Sequence, residues 1–158
     1  MKSVFLMLAV ERLLVEAVQE VEGRVYLHAL PENGLPANFP FVVLRFADGE
    51  TQEEENEDSL LIHVGIHEPD SIREAGLVCL DLADTIRRAL WSTRLVDEEY
   101  ELRFPIRVKM PDQEKKQHEF HMFTVVAQWQ YPNNDRALES DCWKTSGVIT
   151  GCRRRVYR

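Results

Sequence analysis

Apolar residues recur every three or four positions from residue 4 to residue 21. Leu6, Val10, Leu13, Leu14, Ala17, Val18 and Val21 form one stripe, which predicts an amphipathic helix that stops near Gly23. "RVYLHAL" reads as a short strand. "PENGLPANFP", with its prolines, asparagines and glycine, reads as a loop. From Phe41 the period becomes two. Val42, Leu44 and Phe46 share one face, and after an acidic turn Leu60, Ile62, Val64 and Ile66 do the same, with Leu61, His63, Gly65 and His67 on the other. This alternation predicts a sheet packed on one face only. Asp48-Gly49 can begin the connection, but the acidic stretch is too long for a two-residue turn.

Ser71 and Glu74 have the spacing of a capping box. They open a second helical stripe of Ile72, Ala75, Cys79, Leu82, Ala83, Ile86 and Leu90. Tyr100, Leu102, Phe104, Ile106, Val108 and Met110 then alternate with Glu101, Arg103, Arg107 and Lys109, and Pro105 points to an edge or a bulge. The turn "PDQEKKQ" leads into a last strand in which Phe123, Val125, Ala127 and Trp129 alternate with more polar neighbours. The order is helix, three strands, helix, two strands. Short connections make consecutive strands antiparallel. The expected fold is α+β: a mainly antiparallel five-stranded sheet with two helices on its apolar face, over residues 1–132. Residues 133–158 have no sustained period and read as an irregular C-terminal arm.

Composition narrows the function classes. The 158 residues suit one domain, and the net charge of −8 disfavours broad binding to nucleic acid or anionic membranes. The charge is uneven. Asp48, Glu50, Glu53, Glu54, Glu55, Glu57 and Asp58 occur with no intervening base, whereas the chain ends in "CRRRVYR". The opening "KSVFLMLAV" is too short to span a bilayer and is followed at once by Glu11 and Arg12, so a helix of a soluble, cytoplasmic protein is expected. Cys79, Cys142 and Cys152 are odd in number and lack a C-x-x-C pair, which suits reduced thiols.

Candidate chemistry is sparse. His63 and His67 sit four apart on a predicted strand, a span of roughly 13 Å. His118 and His121, three apart, fall on opposite faces. A small metal-dependent enzyme built on these four histidines stands as an alternative reading, against polar-face histidines on a half-exposed sheet. Cys79 lies on a buried stripe, and no nucleophile elbow, P-loop or glycine-rich phosphate fingerprint occurs. No cofactor is expected. The acidic run lacks the spacing of a dedicated calcium loop, although magnesium would relieve its repulsion. It reads as a hairpin tip or as an acidic recognition loop. Arg103, Arg107 and Lys109 form a basic row, and Arg153, Arg154 and Arg155 suit docking on an acidic protein surface.

The element order from the first helix to "AQWQYP" resembles that of the tail terminator (tail completion) proteins of long-tailed bacteriophages. The features that carry it are the opening helix and strand, the proline-ended loop in "ANFPFVVLRF", the acidic hairpin, "LLIHVGIHEP" running straight into a helix, and a closing β-hairpin. The resemblance implies a non-enzymatic phage or prophage protein that closes into a six-membered ring on the tail tube. Such a ring ends tube polymerisation and offers a surface to the head-completion or connector protein. A head-to-tail joining protein of the same particle is the runner-up. Its partners would be copies of itself, the tube protein and the connector, with DNA only as passing cargo and no membrane. It would be found in the host cytoplasm during assembly and in the virion tail. On this reading Glu50, Glu53, Glu54, Glu55, Glu57 and Asp58 on one side of a subunit mate with Arg103, Arg107 and Lys109 on the other. Alternatively, the acidic hairpins line the channel.

Overall fold

The computed structural model describes residues 2–32, 34–110 and 121–133. The expected turn "PDQEKKQ", His118, Cys142, Cys152, Arg153, Arg154, Arg155 and all but the first residue of the expected arm lie outside these residues. Helix α1 (Lys2–Ala17) is followed by a 3-10 turn (Gln19–Val21) and the strands β1 (Val25–Leu27), β2 (Pro40–Thr51) and β3 (Glu55–Ile66). Then come α2 (Ile72–Thr93), β4 (Leu95–Val96), β5 (Tyr100–Lys109) and β6 (His121–Pro132).

The class is α+β, as the periodicities predict, but the sheet has six strands in the order β1-β2-β3-β6-β5-β4 and is mixed. β1 runs parallel to β2, Val25 opposite Val42, because residues 28–39 carry the chain back before the second strand begins. The additional strand β4 is two residues pairing with Glu101 and Tyr100, too short to show a period.

Both helices bury their stripes against one face of the sheet. Leu6, Val10 and Leu14 of α1 and Cys79, Leu82, Ala83, Ile86 and Leu90 of α2 share a core with Leu44, Leu60, Ile62, Val64, Val125 and Trp129. The Glu74 amide donates to Ser71 Oγ at 3.4 Å, which caps α2 and contributes about 1 kcal/mol. Ile72, expected in the stripe, is 78% exposed, since it occupies the first turn ahead of the core. Gly23, at φ +75, turns the chain from the helical layer into β1.

Three local expectations change. The acidic stretch is no long loop, because β2 and β3 run almost to the tip and only residues 52–54 join them, with the Gln52 amide donating to the Glu55 carbonyl at 2.8 Å. β3 is held on both sides along its length, Asn56 pairing with Thr51 on one side and Tyr131 on the other, so the strands stay zipped. Phe41 and Val43 point away from the helices by alternation with Val42 and Leu44, yet are fully buried, so this part of the sheet is covered on both faces. Phe104 should face the core, but the five residues of β5 from Arg103 to Arg107 span only the three from Gln128 to Val126 on β6. This bulge turns Phe104 outward.

Candidate functional site

The charged residues collect on the sheet face opposite the helices. The register places Glu50, Glu57, Gln130 and Glu101 in one row across β2, β3, β6 and β5. The next rows read Asp48, Ser59, Gln128, Arg103, then Arg45, Leu61, Val126, Arg107, and then Val43, His63, Thr124, Lys109. The face therefore grades from acidic at the hairpin end to basic further along the strands. The two sequence-predicted patches do not sit on opposite sides of the subunit. Because β6 inserts between β3 and β5, they share one face, and Arg103 approaches Glu55 at 3.9 Å where they meet.

Asp58 departs from the acidic patch altogether. A surplus residue in β2 between Phe46 and Asp48 sets Gly49 opposite Asp58, and Asp58 continues the inward face of Leu60 and Ile62. Only 4% exposed, it accepts a hydrogen bond from the Tyr131 hydroxyl at 3.0 Å. Around it, Tyr131 lies 3.3 Å from Ser3 Oγ and packs edge-on against Tyr100, whose hydroxyl donates to the Lys2 carbonyl at 3.1 Å. Burial is the main reason that the Tyr100 phenol is pushed up to about 12, with Glu99 adding to it. Burial likewise raises Tyr131. This node ties the start of α1 to the acidic end of the sheet.

That end gathers acids which the hairpin sequence does not announce. Glu99, in the turn between β4 and β5, and Glu101 line one hollow with Glu54 and Glu55. Lys2 pairs with Glu99, and Arg12 reaches Asp97 at 2.7 Å. Glu54 and Glu101 have no cationic partner among the described residues. A hollow of about 340 Å³ opens here between Glu54, Glu55, Glu99, Glu101, Gln130 and Pro132. The signal available in sequence was the run "DEEYE", a second acidic cluster 40-odd positions after the first.

A second feature was missed. Arg87, Arg88, Trp91, Phe104, Pro105 and Ile106 line a largely apolar groove of about 480 Å³ between the end of α2 and β5. Trp91 and Phe104 meet edge-on at 4.8 Å, and the Arg94 guanidinium sits 5.0 Å from the Trp91 ring. The bulge that expels Phe104 creates this groove. It lies beside the part of β5 that the two-residue β4 leaves unpaired. On the opposite edge, the three-residue β1 covers only Val42–Leu44 of β2, leaving the stretch with Asp48 and Glu50 unpaired on that side.

Of the four candidate histidines, His118 and the side chain of His121 lie outside the described residues. His63 Nδ1 is 2.8 Å from Thr124 Oγ1, and His67 Nε2 is 3.8 Å from Glu68. Among the described residues no group of three or more His, Cys, Asp or Glu could hold a metal ion. Cys79 is fully buried, which pushes its thiol up to about 12 and removes the thiolate. No described helix is long and apolar enough to cross a membrane. No protein-family model matches the chain, and no curated protein matches its sequence.

Proposed function

We propose that this protein is a non-enzymatic building block, the ring-forming terminator of a phage or prophage tail. It closes on the tail tube, ends tube growth and presents the head-joining surface. The observation that carries this reading is the inequality of the two sheet edges. The β2 edge bears Asp48 and Glu50, and the β5 edge bears the arginine-aromatic groove. Unlike patches on opposite edges are what a head-to-tail contact with closing rotation requires. Complementary charge sets its register, while the Trp91–Phe104 pair supplies the desolvated anchor.

Two further observations support an assembled state. Val4, Phe5 and Leu8 of α1 and Leu77 and Val78 of α2 are exposed at 40–62%, more apolar helix surface than a solitary subunit needs to show. The element order also runs parallel to the one on which the resemblance rests, with β4 as a short addition. The two charged patches sharing one face move the proposed contact from Arg103, Arg107 and Lys109 to Arg87, Arg88 and Arg94. Ring closure is tested by incubating the protein with tail tubes and imaging their ends by electron microscopy. Six-fold caps and arrested tube growth are expected; tubes that elongate past a full complement of the protein would refute the proposal.

A further inference from the structure

The hollow at the acidic end holds an unanswered group. Gln130 is only 5% exposed and lines the hollow, and its Oε1 has no hydrogen-bond donor among the described residues. Burying such an acceptor without a partner is unfavourable. Glu57 and Glu101 flank it on the neighbouring strands, so a donor that is also a cation would satisfy this acceptor once the Gln130 amide turns towards the hollow. A single metal ion fits poorly, since no three acidic groups converge closely enough among the described residues. A guanidinium fits better. It is planar and presents five N–H donors in a fork that reaches several acceptors at once.

We infer that this hollow is a receptor for an arginine side chain, supplied by the chain's own basic C-terminal residues Arg153–Arg155. The chain leaves the sheet at the hollow's rim. Pro132 lines it, and Asn133 is pinned to the hairpin tip, its amide donating to the Glu54 carbonyl at 2.9 Å and its side chain to the Gln52 carbonyl at 3.1 Å. Beyond Asn133 the bases outnumber the acids, and Arg153, Arg154 and Arg155 are consecutive. The twenty-residue separation of Asn133 from Arg153 in the chain corresponds, for a random coil of that length, to a root-mean-square reach of about 25 Å and to an effective concentration on the order of millimolar. A second copy in dilute solution cannot compete with that. The inference is independent of the tail reading.

The test is limited trypsin digestion of the full chain, followed by mass spectrometry of cleavage after Arg153, Arg154 and Arg155, with circular dichroism confirming the fold. Glu54→Gln with Glu101→Gln, and separately Gln130→Leu, should each speed this cleavage about tenfold. Glu101→Lys should do the same. For the Glu101→Lys chain, replacing the three arginines by glutamate should restore docking, read as amide hydrogen-exchange protection of the last residues. Protection should not change across a hundredfold dilution or on adding EDTA. Equal cleavage in the wild type and all folded variants would overturn the inference. Protection that fades on dilution would assign the donor to a second copy, and protection lost with EDTA would assign the site to a divalent cation. Either result overturns it.

Discussion

The Tyr131 hydroxyl donates to Asp58 Oδ2 across 3.0 Å in a buried setting, joining the end of β6 to the start of β3. Asp58 belongs in sequence to the acidic run, but this bond makes it part of the framework beneath the acidic end. Removing the donor leaves a buried carboxylate short of a partner. Tyr131→Phe should therefore cost about 1–3 kcal/mol of stability in urea unfolding. Once Asp58 is alanine, the same change should cost measurably less, because the pair acts as a unit.

Gly49 faces that carboxylate. A Cβ there would lie 2.5 Å from Asp58 Oδ1 and 2.9 Å from Phe46 Cζ, and Asp58 cannot swing away without releasing Tyr131. Gly49→Ala should destabilise the protein by about 1–3 kcal/mol. Part of that loss should vanish in an Asp58→Ala background, where the oxygen is gone. Equal losses in both backgrounds would show that Phe46 alone sets the limit.

The tyrosine node makes stability fall in strong alkali. Tyr100 is pushed up to about 12 from an ordinary 10, so the fold favours its neutral form. That contribution is complete below pH 10, where the phenol is neutral in both states, and declines as pH rises from about 10 through 12. Chemical denaturation across this range should show the decline, and Tyr100→Phe should flatten it.

Cys79 should be silent towards thiol reagents. In a Cys142→Ser, Cys152→Ser chain at pH 8, a soluble disulfide reagent should label no thiol until denaturant is added, and then one per chain. Native labelling at the rate of a free thiol would contradict the burial that raises it to about 12.

Much of the architecture was legible because it is local. The stripes of α2 and the alternation from Leu60 to Ile66 each fix one face of one element, and the structure buries the same residues apart from Ile72. What escaped depends on register and distant pairing. One surplus residue before Asp48 turns Asp48 and Glu50 to the outer face and sets Gly49 opposite Asp58, and the bulge after Arg103 sends Phe104 out; neither changes the composition that period-counting sees. The parallel pairing of β1 depends on how the loop of residues 28–39 returns. The groove joins Trp91 to Phe104 across two elements. The acidic end was half visible, since the hairpin acids were plain, but only the β4–β5 turn brings Glu99 and Glu101 beside them.

The pairing of unlike edges is tested most directly by mixing two defective chains. One carries Asp48→Lys and Glu50→Lys; the other carries Arg87→Glu, Arg88→Glu and Arg94→Glu. Each alone should stay monomeric on light scattering with tail tubes added and should leave tube ends bare by electron microscopy. In an equal mixture the reversed β2 edge of one meets the reversed groove of the other, so alternating rings should cap the tubes. Caps formed by either variant alone, or none formed by the mixture while both remain folded, would contradict the account.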